Sequence, residues 1–434
     1  MADNKQNTNP NVPNLSFKRE QSEICSDSAE RVINQKQNVP NLRFPEFNGA
    51  WVQSTIGDCF ELYSGNTPSR MDKEHFMGDI NWISSGELKE HYIGDTKEHI
   101  SEKAAIENNL RLLPIGTFVI AIYGLEATGV RGTCSITTKK STISQACMAF
   151  IPKTNVSNEF LYSWYKKHGN QIGIRYAQGT KQQNLSYDII EKFLITYPCV
   201  KEQDKLKTFI ALLDERIATQ SKIIEDLKKL KVAICNRLLN NKTLLNKTAP
   251  LSNFGELKNG YAFKSSTYVP NGNYNIITIA NVSGDREIVT DSCNTILSVP
   301  TDIQSHQILK SGDILISLTG NVGRVSLNKG NNNLLNQRVG LFVPNNSISD
   351  EFIYQSLSFV QFENNMINLA QGAAQMNIGK GDIESYQIRY SDNQQLINSI
   401  SRILLDYDKK IEIENTYLQS LLSQKAYLLS NMFI

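Results

Sequence analysis

Taken from Ile210 in alternating steps of three and four, the chain reads Ile210, Leu213, Ile217, Gln220, Ile224, Leu227, Lys231, Ile234 and Leu238. A second series, shifted by 194 positions, reads Leu404, Tyr407, Ile411, Glu414, Leu418, Leu421, Lys425, Leu428 and Met432. Seven of the nine positions are apolar in each, and the polar exceptions fall at the same places. A repeat of 3.5 residues makes a narrow stripe suited to a coiled-coil seam, whereas a helix lying on its own domain carries a broader one. The spacing therefore predicts two long helices, over 201–240 and 392–434. Ahead of each, the pattern changes to short β-branched runs, TFVIAIY and ACMAFIP in the first half and DILISLT and VGLFVP in the second, separated by Gly, Asn and Asp. That is the punctuation of strands and turns. The amphipathic stretches EFLYSWYKKH and EFIYQSLSFVQFENNMINL predict one helix per half. The fold class is α+β, with strands predominant.

The two halves are copies. YAQGTKQQNLSYDIIEKFLITY (176–197) lies over LAQGAAQMNIGKGDIESYQIRY (369–390) at an offset of 193. Gln145, Phe150, Pro152, Glu159, Phe160 and Tyr162 lie over Gln337, Phe342, Pro344, Glu351, Phe352 and Tyr354 at an offset of 192. LLPIGTFVIAIYG pairs with ILKSGDILISLTG, and LYSGNTPS with LKNGYAFK. A repeat near 195 residues is one supersecondary plan used twice. The expected organisation is a leader (1–37), a first strand-rich domain (38–200), the central helix (201–240), a second strand-rich domain (241–391) and the final helix (392–434).

Chain order constrains the arrangement. The connection NNKTLLNKTAP (240–250) is short, so the second domain starts beside the far end of the central helix and the final helix starts beside that domain. Paired helices must then be antiparallel, and about 38 residues at 1.5 Å each reach ~57 Å. The expectation is two domains at opposite ends of a stiff rod, related by a pseudo-twofold axis.

Composition adds limits. The 434 residues are 40% hydrophobic, enough for two or three cores rather than one. No run approaches the ~20 consecutive apolar residues of a membrane span, and MADNKQNTNPNVPN is polar where a secretory signal is apolar. A cytoplasmic location without membrane attachment is expected. Residues 1–37, rich in Asn, Gln, Ser and Lys, read as largely disordered, and NVPNLSF (11–17) recurs as NVPNLRF (38–44). The seven cysteines include no CxxC pair, which excludes the usual zinc and disulfide frameworks. Only the stretch 201–247 is clearly basic, with 11 Lys and Arg against 6 Asp and Glu, so neither domain is a bulk polycation.

Catalytic signatures are sparse. The five histidines show no HExxH spacing, and no GxxxxGK[ST] loop, GxGxxG fingerprint or Asn/Asp-Pro-Pro-aromatic segment occurs. Asp79, Glu87 and Lys89 imitate the acid and E-x-K spacing of metal-dependent nucleases. That spacing leaves open a Mg-dependent nuclease, and the seam helices leave open a coiled-coil protein scaffold. The second half lacks the acid pattern.

The lead-in NVPNLRFPEFNGAW, the doubled AQG phrase and the helix texts LLDERIATQSKIIEDLKKLKVAICNRLL and YDKKIEIENTYLQSLLSQKAYLLSNMF together resemble the specificity subunit of type I restriction-modification systems. The likeness runs from about residue 38 to the end, and the long leader departs from it. The resemblance implies two target-recognition domains, each reading one half of a bipartite sequence in double-stranded DNA, with the helices setting the gap and docking two modification subunits. It implies restriction and translocase subunits as further partners. No catalysis is then expected in this chain: S-adenosylmethionine, ATP and Mg belong to the partners, and the chain itself holds no cofactor or metal. Amides pair with adenine edges and basic side chains with guanine or phosphate. The candidate DNA-binding residues are therefore Gln178, Thr180, Lys181, Gln182, Gln183 and Asn184 with Arg131, Lys139 and Lys140 in the first half. In the second half they are Gln371, Gln375 and Asn377 with Arg324 and Arg338.

Overall fold

A computed structural model describes residues 38–127, 129–179, 183–371 and 376–434. The chain divides into two compact units, residues 1–212 with 424–434 and residues 213–423. The leader 1–37 and its expected disorder lie outside the described residues.

In the first unit the main sheet places Phe60–Ser64, Cys147–Pro152, Phe118–Ala121, Cys134–Thr137 and Tyr92–Ile93 side by side. Phe118–Ala121 is central and buried on both faces. Phe118 meets Tyr162 and Tyr165 of the helix Asn158–Tyr176 edge-on, while Val119 and Ala121 join Ile83 and Ile143 of a second sheet. That smaller sheet has Ile80–Ile83 at its centre, antiparallel to His99–Ile100 and parallel to Ser141–Ile143. The helix begins where Ser157 accepts the amide of Phe160, a serine cap that satisfies one of the free donors of the first turn. A two-stranded ribbon, Val52–Thr55 with Leu194–Tyr197, closes the unit.

The second unit repeats the plan. Gly255–Asn259, Val339–Pro344, Ile314–Ser317 and Val325–Leu327 stand in the same order as the first four strands above. Tyr274–Ile277 runs parallel to Asn333–Leu335, as Ile80–Ile83 does to Ser141–Ile143. Lys247–Pro250 and Gln387–Tyr390 form the ribbon. Ser349 caps the following helix through the amide of Phe352. The expected single helix is here two, Asp350–Leu357 and Val360–Ala370. Phe359 breaks them: its backbone is extended and its ring is buried in the core with Phe362 and Leu357. Burial of a large ring outweighs one interrupted helical turn.

The long helices are Val200–Leu239 and Gln394–Met432, of 40 and 39 residues. Each is about 60 Å long at 1.5 Å per residue. All eighteen positions of the two apolar series are buried or half-buried. Within the second unit the helices run antiparallel: Gln220 donates to the Glu414 carboxylate at 2.6 Å, Arg216 lies over the Tyr417 ring, and Lys231 pairs with Asp408 at 2.5 Å. The first polar exceptions of the two series, Gln220 and Glu414, are thus each other's partners. Equivalent positions of two copies meet in this way where antiparallel strands of a repeat cross. Cys235 and Leu239 from one helix and Ile397, Ile400 and Leu404 from the other belong to the second unit's core, so the helix ends are part of that domain.

Among the described residues, no helix is long and apolar enough to cross a membrane.

Candidate nucleic-acid interface

At one end of the main sheet in each unit, three loops are stitched together by backbone hydrogen bonds. In the first unit the central strand runs on into residues 122–125. Ile122 donates to Ala146 at 2.9 Å, Leu185 donates to Ile122 at 2.9 Å, and Leu125 donates to Gln183 at 3.0 Å. The AQG phrase is closed on itself by two amides, Gln178 to Asn184 and Asn184 to Gln178, both at 2.8 Å. Gly179 between them holds φ +117°, a backbone state that a side chain would strain. In the second unit Leu318 donates to Arg338 at 2.9 Å, Ile378 to Leu318 at 2.9 Å and Gly320 to Met376 at 3.0 Å. The doubled phrase is therefore the third loop of a doubled cluster, anchored to the same strand end each time.

Glycines permit this packing from behind. A Cβ on Gly65 would sit 1.8 Å from the carbonyl oxygen of Ile143, and one on Gly260 would sit 2.1 Å from that of Asn336. The LYSGN and LKNGY texts align because both strands must pass this close to the middle loop.

The side chains of the cluster are held unequally. Gln178 is exposed, while Gln183 and Asn184 are half-buried. Arg131 donates from Nη2 to Gln183 Oε1 at 2.6 Å and lies along Gly173 of the helix. Glu126 accepts the amide of Gln183 at 2.7 Å, and that bond, with one from its own backbone and the charge of Arg131, holds its carboxyl below the usual range. Arg324, the counterpart of Arg131, reaches Glu363 of Val360–Ala370 at 3.3 Å. Both arginines brace a loop against the neighbouring helix. Arg338, Gln371 and Asn377 are exposed. Thr180, Lys181, Gln182 and Gln375 lie outside the described residues.

Lys139 and Lys140 belong elsewhere. They follow Cys134–Thr137, whose last residue pairs with the start of the central strand, where Gly116 donates to Thr137 at 2.7 Å. They stand at the opposite end of the strands from the AQG loop, and Lys139 is paired with Asp95. The cluster instead contains Gln145 and Gln337, both exposed on the middle loop. Their alignment across the repeat was the available signal, but strand runs alone do not say which loops share an end.

Of Asp79, Glu87 and Lys89, Glu87 has a local role. Glu87 accepts the amide and hydroxyl of Ser84 at 2.9 and 2.7 Å and the amide of Lys97 at 2.7 Å, which closes the short turn Ser85–Glu87. Among the described residues no group of His, Cys, Asp or Glu is arranged to hold a metal ion.

A duplicated strand-rich module, each copy continued by a long helix, defines a class of two-module proteins built on a repeated plan. The chain belongs to the family of the type I restriction modification DNA specificity domain, whose pattern it matches twice, over residues 48–229 and 246–423. It is 30% identical over 188 residues to the type I restriction enzyme MjaIX specificity subunit of Methanocaldococcus jannaschii, covering 42% of each chain. It is 26% identical over 191 residues to the EcoR124I/EcoR124II specificity subunit of Escherichia coli, covering 43% of this chain and 46% of that one. These alignments span less than half the length of either relative. Among solved structures, the S subunit of a type I restriction-modification system from M. genitalium matches with TM-score 0.53 and 16% identity over 91% of this chain and 99% of that one. A chain from a study of complex assembly and conformational transition in a type I system matches with TM-score 0.56 and 13% identity over 88% and 97%. At these identities the likeness is one of fold.

Proposed function

We propose that this chain is the DNA sequence-recognition subunit of a type I restriction-modification complex. Each strand-rich module reads one half of a bipartite target, and the helix pair sets the gap. The observation that carries the reading is the family match in two copies, each copy bearing the same three-loop cluster at the same strand end. The chain is non-catalytic in this scheme. Methyl transfer from S-adenosylmethionine and ATP-driven cleavage, with its Mg, belong to partner subunits, two modification subunits among them, docked on the helices. An adenine must leave the stack to be methylated. A subunit that grips the duplex on both sides of the gap keeps the register while that happens.

The loop clusters are the surface offered to DNA, with Gln178, Gln183, Asn184 and Gln145 in the first module and Arg338, Gln337, Gln371 and Asn377 in the second. Amides suit adenine edges, and an exposed arginine suits guanine or phosphate. The test is a heptad inserted into each long helix at matching positions, with the reconstituted complex methylating a random-gap library. Seven residues add ~10.5 Å, equivalent to about three base pairs at 3.4 Å each. The halves should be unchanged and the gap lengthened by about that number; an unchanged gap removes the helices from the role of spacer.

A further inference from the structure

The sequence NVPNLRF at 38–44 has a seat in the first unit. Leu42 donates its amide to Asn431 at 2.9 Å, and the Asn41 side chain donates to that of Asn431 at 3.3 Å, both on the end of the second long helix. Arg43 grips Glu202 of the first long helix with two bonds of 2.8 and 2.7 Å. Phe44 meets the Phe209 ring edge-on at 5.7 Å, and the Lys205 amine lies 4.6 Å over Phe44. The segment thus ties both helices together and is bonded to the first strand, because Trp51 donates to Asn38 at 2.7 Å.

The chain carries this ligand twice. Residues 11–17 read NVPNLSF and match 38–44 at six of seven positions, including the counterparts of Asn41, Leu42 and Phe44. The one difference places Ser16 where Arg43 stands. Arg43 faces a Glu202 side chain that is 2% exposed, and is itself 14% exposed. A buried carboxylate deprived of its cation is costly, so the seat prefers the resident copy. The 20 residues between the copies span up to about 66 Å, enough for residues 11–17 to reach the seat of their own chain.

We propose that residues 11–17 are a second, competing ligand for this seat in the same chain, held off by the Arg43–Glu202 pair. When they occupy it, 34 residues (18–51) join the seat to the first strand in place of seven (45–51), while the first module keeps its own bonds to the helix ends, from Ser157 to Gln203 and from Lys167 to Ser430. The duplication is a built-in exchange device rather than a spare copy. It stands independently of the DNA reading.

The test is disulfide trapping in a background of Cys25→Ser and Cys199→Ser. Asn41→Cys with Asn431→Cys reports the resident copy, and Asn14→Cys with Asn431→Cys reports the competitor, each scored as an intrachain link by peptide mass. The competitor link should be minor in the parent and rise about tenfold or more with Arg43→Ser, since a hydrogen-bonded charge is lost. Absence of that rise, or a link formed only between chains, overturns the proposal. Independently of link geometry, removing residues 1–20 should lower the Tm of the Arg43→Ser chain and leave that of the parent unchanged. Equal effects on both would also overturn it.

Discussion

Asp408 offers a test of how the second module is fixed to the helices. Its side chain, 7% exposed, accepts from Lys231 at 2.5 Å, Gln355 at 2.6 Å and Arg286 at 3.1 Å. These partners come from the other long helix, from Asp350–Leu357 and from a loop of the module, so one carboxylate joins three parts of the unit. Arg286 also holds Glu351 with bonds of 2.8 and 2.6 Å; burial lowers its pKa, but Glu351 and Asp408 together raise it further. Asp408→Ala strands the Lys231 amine and takes one bond each from Arg286 and Gln355, both of which keep Glu351. Removal of one member of a buried pair costs about 3–5 kcal/mol. The lower end applies, because Arg286 keeps Glu351 and the Lys231 side chain, 18% exposed, retains some water. The expected loss is about 3 kcal/mol, read by urea unfolding and by amide exchange in 404–412 and 350–357. Lys231→Met with Asp408→Leu should recover most of it, since an apolar pair of similar volume leaves no orphan charge. A loss under about 1 kcal/mol for Asp408→Ala, or an equal loss in the double variant, would refute the reasoning.

Gly65→Ala forces a Cβ against a backbone carbonyl that cannot swing aside, so it should cost about 2–3 kcal/mol, seen as a lower Tm; a parental Tm would deny the close approach. Burial holds the His168 pKa below its ordinary 6.5, against the opposing bond to Ile434. A depressed folded value means the unfolded chain takes the proton first. The contribution is therefore complete above pH 6.5 and falls away as pH drops through the folded value, and His168→Gln should flatten that part of the stability profile. On the proposed reading, Arg338→Ala weakens DNA binding by about 1 kcal/mol or more in anisotropy titrations at fixed salt. Lys140→Ala, at the far strand end of its own module, should leave binding unchanged, and the reverse order would relocate the interface.

Local period made most of the fold legible. The long helices and the short strands follow from spacing alone, and the repeat assigned them to two copies of one plan. What stayed hidden was set by distant partners. Phe359 lies inside a helical pattern and ends the helix because its ring is drawn into a core assembled from other segments. Lys139 and Lys140 look like partners of the AQG loop in one dimension, but strand order sends them to the opposite end. Gln145 and Gln337 are visible as aligned residues, yet their place beside the phrase depends on pairings 20 or more residues apart in the chain. NVPNLRF reads as a chance duplication until Asn431 and Glu202, from opposite parts of the sequence, are seen to receive it.

On the proposed reading, specificity resides where the two modules differ. Two modules that read different half-sites cannot do so with groups they share. The shared groups are the four-strand order, the paired glycines 65 and 260, and the arginines 131 and 324, and each has a bracing role within its own module. The modules differ at the margins of this scaffold. The edge pairings themselves recur, His99–Ile100 on Ile80–Ile83 as Asn294–Ile296 on Tyr274–Ile277, but the first carries the helix Glu102–Glu107 where the second has the short turn Ser305–Gln307. Within the cluster they differ at Ala146 against Arg338 and at Gln183 against Met376. Exchanging Ala146 for arginine leaves every backbone bond of the first cluster, and the Arg131–Gln183 bond, in place. On the proposed reading such a variant should keep its fold and change the sequence preference of one half-site only. If a complex assembled with it methylates the parental target unaltered, the bases are read by the marginal elements and the loops serve to grip the backbone.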